Sequence, residues 1–321
     1  LRGSTTITGS LTIPAGSHVI TGELHVLGHL TIANGATADV ENEGDRATVR
    51  VSHTMLVEAG ASVSFNDGFA LIASDFDVEG ELSLGNGNHV VNGSMVVDGT
   101  LTVGNGVHTF NGDVEVTGAA TFGAGTHVID GRVRLVGVDS ELTMRGTTTV
   151  TRIVTTAGTL GLNGPNTLGG LVISGGAFGV SGTTSIGGSV TFPSGTYELN
   201  GQVTVEDDVT VSVGATLTHA VLSLTTYTLE LVVGGNLVVD GEINVDQRSS
   251  YQVDSPRGVG KGARFPSHGG AATTEASDTN TNQVYGSWSE VATLGQQRNG
   301  AVDDSAYGQY TSSIDQVQTV F

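Results

Sequence analysis

Three histidines hold the same place in three successive sequence units. His89, His108 and His127 are 19 residues apart, each nine past a glycine (Gly80, Gly99 and Gly118). If such units stack, the imidazoles fall one above another, roughly 4.8 Å apart. Imidazoles at that spacing offer two chemistries: a ligand set for Zn²⁺, Cu²⁺ or Ni²⁺, or an inward ladder of neutral rings. The residue two further on is apolar each time (Val91, Phe110, Ile129). Strand alternation then turns the histidine inward, so the ladder is the preferred reading and metal the alternative. His18, nine past Gly9 and two before Ile20, joins the ladder by the same counting. A buried ladder weakens in acid, because its rings must then take up protons.

Other residue groups carry weaker chemistry. Asp39, Glu41, Glu43 and Asp45, with Glu58 further on, supply enough oxygen for Ca²⁺, but without EF-hand spacing. A solvated insertion loop is the simpler account. Thr12, Thr31, Ser83, Thr102 and Thr121 form an outward hydroxyl column of the kind that binds sugars, although strand propensity on an exposed face explains threonine well. No catalytic carboxylate pair, GxSxG elbow or Ser-His-Asp set stands out. Asp207-Asp208 and Asp303-Asp304 fit a turn and a polar tail as well as they fit chemistry. The chain is expected not to be an enzyme, with no cofactor.

The elements that must position these residues follow from glycine spacing. Gly80, Gly99 and Gly118 open three copies; Gly87, Gly106 and Gly125 fall seven residues on, and Gly93, Gly112 and Gly131 thirteen on. These corners divide 19 residues into segments of 7, 6 and 6, where glycine is expected to supply unusual backbone angles. Between corners the pattern alternates with period two: Leu82 and Leu84 flank Ser83, and Val114 and Val116 flank Glu115. One such unit cannot bury its own apolar face and must lie on a copy of itself. The fold expected is all-β: a parallel β-helix (β-solenoid) of triangular rungs, with a right-handed coil the commoner outcome.

Bulk composition narrows the partners. The 321 residues include 49 Gly and no Cys, which excludes a disulfide framework and cysteine-ligated zinc. The net charge of -20 makes nucleic acid and anionic membrane surfaces poor partners. No apolar run is long enough to span a membrane, and no signal peptide is visible ahead of Leu1.

Carried along the chain, the frame places Gly9, Gly16, His18 and Gly22 in one rung, with Gly3 the third-corner glycine of the rung before. Leu1 would then open a half rung whose free strand edge invites pairing with another chain. An acidic loop at 39–47 interrupts the frame, residues 137–187 loosen it through a Gly-rich stretch, and Gly188 recovers it with Tyr197 in the histidine position. Residues 1–246 give about 12 or 13 rungs, a rod roughly 60 Å long. From 247 to 321 no period persists. Tyr251, Tyr285, Trp288, Tyr307, Tyr310 and the terminal Phe321 are scattered among polar residues. That composition suits an irregular arm docking on a neighbouring subunit or on the solenoid.

The 19-residue Gly-cornered rung resembles the β-helical repeats of large bacterial adhesins and filamentous-haemagglutinin-like exoproteins. The run GGNLVVDGEINVD, then GVGKGARFPSHGG and VYGSWSEVATLG, is similar to a Gly-rich passage of very large bacterial surface proteins. Bactofilins, which polymerise end to end, are a weaker resemblance. The resemblance implies export, an extracellular or cell-surface location, and a structural or adhesive role. The function expected is a homopolymeric subunit or segment of an extracellular fibre. The alternatives are a glycan-binding stalk or spike, with Tyr197, Tyr227 and Trp288 as candidate contacts, and a polysaccharide-active enzyme.

Overall fold

Strands of three or four residues between glycine corners are too short to persist alone, so each takes its backbone hydrogen bonds from the rung before and the rung after. The computed structural model describes residues 2–41, 48–66, 69–72, 75–155, 157–220 and 229–244. They form a β-solenoid in which every recorded strand pairing is parallel, and they contain no helix.

The described residues form 33 strands, and three of them (Gly16–Val26, Thr126–Leu135 and Thr147–Thr155) turn a corner and serve two faces. Each of the three faces thus holds twelve strands and eleven rung-to-rung steps, a rod of roughly 53 Å at the strand-stacking rise. The first face contains Phe76–Val78, Met95–Val97 and Val114–Val116. The second contains Glu81–Leu84, Thr100–Val103 and Ala119–Phe122. The third contains Asn88–Val91 and Val107–Phe110.

Side chains alternate in and out as the sequence predicts, and the inward set forms one continuous core from Ile13 to Val233. The step between rungs is 19 residues over most of the rod, for example Leu82 to Leu101. The Gly-rich stretch runs on a step of 18, Leu160 to Phe178. A step of 25, Thr37 to Ser62, absorbs the acidic insertion, and one of 28 occurs at Val203 to Leu231. Insertions therefore enter at corners and leave the stacking register intact.

Register corrects the phase of the first rungs. Leu11 pairs with Leu30, Leu30 with Met55, Met55 with Phe76 and Phe76 with Met95. Gly9 therefore occupies the corner of Gly93, not that of Gly80. Gly3 lies inside a third-face strand, Arg2–Ile7, opposite Gly22. The expected hydroxyl column divides likewise. Thr12 and Thr31 belong to the first face, while Ser83, Thr102 and Thr121 belong to the second. The physical reason is that three glycine-cornered segments of nearly equal length look alike, and only pairing across the irregular steps tells them apart.

The role of the corner glycines also changes. None of Gly80, Gly87, Gly93, Gly99, Gly106, Gly112, Gly118, Gly125 and Gly131 has a positive φ. At Gly106 an added Cβ would lie well under 3.0 Å from the backbone of Asn86 and Gly87 one rung earlier. The same holds at Gly80, Gly99, Gly112, Gly118, Gly125 and Gly131 against their own lower rungs. Close approach of backbone to backbone, not backbone angle, requires glycine there. Beside these glycines short polar side chains tie one rung to the next. Asn86 Oδ1 accepts the Asn105 N–H at 2.9 Å, Asn105 Oδ1 accepts that of Ala124 at 2.7 Å, and Asp113 Oδ1 accepts that of Arg132 at 2.8 Å.

Candidate functional site

The third-face strands carry the histidines. Register places His89 on His108 and His108 on His127. Their ring centroids are 5.1 and 5.2 Å apart, with interplanar angles of 8° and 20°. All three are buried, at 1%, 0% and 0% exposure. The edge of Phe122 closes on His127 at 5.2 Å and that of Phe65 on His89 at 6.2 Å. This is the ladder the sequence predicts.

His127 Nε2 lies 3.0 Å from the Gly123 carbonyl. A carbonyl only accepts, so Nε2 carries the proton and Nδ1 presents a lone pair. Burial, reinforced by the neighbouring His89 and His127, pushes the His108 pKa down to about 3. Burial also lowers that of His127.

Rings stacked face to face aim their in-plane lone pairs along parallel lines. A metal site needs lone pairs that converge on one point, about 2.0–2.1 Å from each nitrogen. The stacked geometry does not supply that. No group of three or more His, Asp or Glu among the described residues is arranged to hold a metal ion.

His18 is not part of the ladder. It pairs with Ala38, which pairs with Val63 and so with Leu82, on the second face. It is only half-buried, and its Nε2 donates to the Pro14 carbonyl at 2.8 Å. Tyr197 shares that second-face column, next to Leu217. It is fully buried, with its hydroxyl toward Ser194 O, so it presents no surface for a glycan.

Of the Ca²⁺ candidates, Asp39 sits in a second-face strand opposite Ser64, and Glu58 accepts the Asn34 N–H. Glu43 and Asp45 lie outside the described residues. Asp208 uses Oδ1 to accept the backbone and side-chain N–H groups of Asn236, which makes it a rung tie. Leu1, Tyr227, Asp303-Asp304 and the arm at 247–321, with Tyr251, Tyr285, Trp288, Tyr307, Tyr310 and Phe321, also lie outside the described residues.

The structure extends the column beyond the histidines. Thr148 stands on His127, Asn166 on Thr148 and Thr184 on Asn166, all buried, before Val203 ends the polar run. Six successive rungs thus bury a polar side chain at one position. Asn166 Nδ2 donates to Gly164 O at 2.6 Å, while Asn166 Oδ1 and the hydroxyls of Thr148 and Thr184 have no partner. Sequence reasoning passed over these three residues. Their signal was present: each stands two before an apolar residue (Val150, Leu168, Ile186), as His89 does before Val91.

A buried hydroxyl without a partner is destabilising, and removing it while keeping its shape is neutral or favourable. Thr148→Val is expected to hold stability or raise it by about 1 kcal/mol in urea unfolding. A loss of that size would mean that the hydroxyl is engaged.

The same strands differ from the other faces on their outer side. From Asn88 to Thr204 their outward positions carry a single charged residue, the exposed Asp130. The first face shows Asp77, Glu115 and Arg134 outward, and the second shows Glu81, Glu141 and Glu198. The third face is thus distinct in its polar interior, whereas outward positions without charge recur on the first face at Val154, Val172, Thr191, Thr210 and Val238.

Compared with protein-family models, with curated proteins and with solved structures, the chain matches none.

Proposed function

We propose that this chain is a non-enzymatic structural segment of an extracellular fibre or cell-surface assembly, polymerising with copies of itself. The observation that carries this reading is the long register: the ladder passes through twelve strands on the second and third faces and breaks once on the first, between Leu171–Ile173 and Val190–Phe192, while the longest steps fall between strands. A solenoid of that kind is stiff, because each rung is hydrogen-bonded to two neighbours over a continuous core. The corners are backbone-to-backbone contacts too close for any Cβ, which removes further freedom. The buried ladder has no route to substrate, and its most perturbed member stays neutral at ordinary pH, so its chemistry is packing. The resemblance of the rung to bacterial surface exoproteins supports the same location and role.

Electron microscopy of the native full chain tests this. Long unbranched filaments with an axial repeat near the rod length, roughly 50 Å, are expected. Discrete short rods at every concentration would overturn it.

A further inference from the structure

Two further histidines meet at the corner between the third and first faces, away from the buried ladder. His29 precedes the first-face strand Leu30–Ile32, and His53 stands one rung on, ahead of Met55–Val57. Both are exposed. Their ring centroids are 5.2 Å apart, with an interplanar angle of 50°. His53 Nδ1–H donates to the Leu27 carbonyl of the rung below at 2.8 Å. A carbonyl only accepts, so the proton sits on Nδ1 and Nε2 keeps its lone pair. Metal-ligating histidines are commonly held this way, with one ring nitrogen tied to a backbone carbonyl and the other left for the ion. The backbone N–H of His29 is tied in turn to Ser10 Oγ at 3.1 Å, which fixes the corner on which its ring stands.

The pair differs from the ladder in the property that coordination requires. A metal about 2.0–2.1 Å from a ring nitrogen lies about 3.2 Å from the ring centroid, so two imidazoles on one ion at a tetrahedral angle set their centroids about 5.2 Å apart. His29 and His53 already have that separation. Their tilt lets the in-plane lone pairs converge, which the ladder rings, at 8° and 20° to one another, do not.

We propose that His29 and His53 form a surface site for a borderline divalent transition-metal ion, Cu²⁺, Ni²⁺ or Zn²⁺, bound through one nitrogen of each ring. Imidazole suits these ions, whereas Mg²⁺ and Ca²⁺ call for oxygen ligands. The chain supplies two ligands, so water or a group from another molecule takes the remaining positions. The site does not depend on the reading of the chain as a fibre segment.

Isothermal titration of the full chain with Ni²⁺, Zn²⁺ or Cu²⁺ in a non-chelating buffer tests this. One tightly held ion per chain is expected, with Cu²⁺ the tightest of the three. His29→Ala and His53→Ala should each weaken Ni²⁺ binding by at least about tenfold, since either leaves a single imidazole. The double variant should lose little more than either single one, because the two rings act as one chelate. His18→Ala, on the second face, should change nothing. Electron paramagnetic resonance of the Cu²⁺ complex should show splitting from two nitrogens in the parent chain and from fewer in each corner variant. Circular dichroism checks that all the variants fold.

An affinity that neither corner variant changes overturns the proposal. So does an equal loss in His18→Ala, which is diffuse binding to an acidic rod. Displacement of Ni²⁺ by an equal concentration of Mg²⁺ assigns the ion to carboxylates and likewise overturns it.

Discussion

Gly106→Ala is expected to destabilise the rod by about 3 kcal/mol or more, among the largest effects of any single methyl group added to this chain. The new Cβ would meet the backbone of Asn86 and Gly87, well inside the closest distance real Cβ atoms show. The obstacle is main chain, not the end of a flexible side chain, so relief requires opening the rung step itself. Two other glycines separate this mechanism from ordinary glycine effects. Gly137 has φ +97° and nothing within 4 Å of its added Cβ. Gly137→Ala should therefore cost only the left-handed backbone penalty of about 1–2 kcal/mol. Gly161 lies in a strand with no positive φ, and its Cβ would make only ordinary contacts from 3.6 Å outward. Gly161→Ala is expected to stabilise by about 0.5–1 kcal/mol. Urea unfolding of the three variants gives the order. Equal losses at Gly106 and Gly137 would show that backbone angle governs the corners after all.

Acid should weaken the rod between pH 6.5 and pH 3, and the histidine ladder should be the cause. An unfolded histidine titrates near 6.5, while His108 in the stack is pushed down to about 3 by burial and by its two neighbours. Between those values the unfolded chain binds more protons than the folded one, so stability falls as pH falls. The contribution is complete above pH 6.5 and is lost progressively down to about pH 3. At 1.36 kcal/mol per unit, His108 alone accounts for about 2–3 kcal/mol lost by pH 4.5 and roughly 4–5 kcal/mol at the bottom of the window. Burial moves His127 the same way.

Carboxylates act lower on the scale. Asp113, held below its ordinary 3.8 first by the N–H of Arg132, loses its share only as pH falls below that value. Asp77, pushed up by burial and by Glu79 and Asp98, works in the opposite sense. Urea unfolding at pH 7.5 and 4.5 isolates the histidine term, and His108→Leu should flatten the difference by about 2–3 kcal/mol. An acid limb unchanged by His108→Leu would place the sensitivity elsewhere.

Residue order alone is enough to read the fold class, the three-cornered rung, the inward and outward alternation and the stacking of His89, His108 and His127. Those properties are periodic, and a period survives in the chain without any knowledge of which rung lies on which. It did not determine phase. Gly9, His18 and Tyr197 satisfy the same local counting as Gly80, His89 and His108, yet steps of 20, 25 and 19 residues carry His18 to Leu82 on the second face, and steps of 22 and 18 bring Tyr197 to the same column. Hydrogen-bond register across those steps is a property of pairs of strands, and only the tertiary structure decides it. The same is true of the glycines. The sequence shows where they recur, but their reason, a neighbouring backbone too close for a Cβ, exists only once the rungs are stacked. The extension of the buried column through Thr148, Asn166 and Thr184 is likewise a fact of stacking. Residues 18 to 21 apart with different side chains share nothing in sequence except the apolar residue two positions on, and they become one polar line only when the coil brings them over each other.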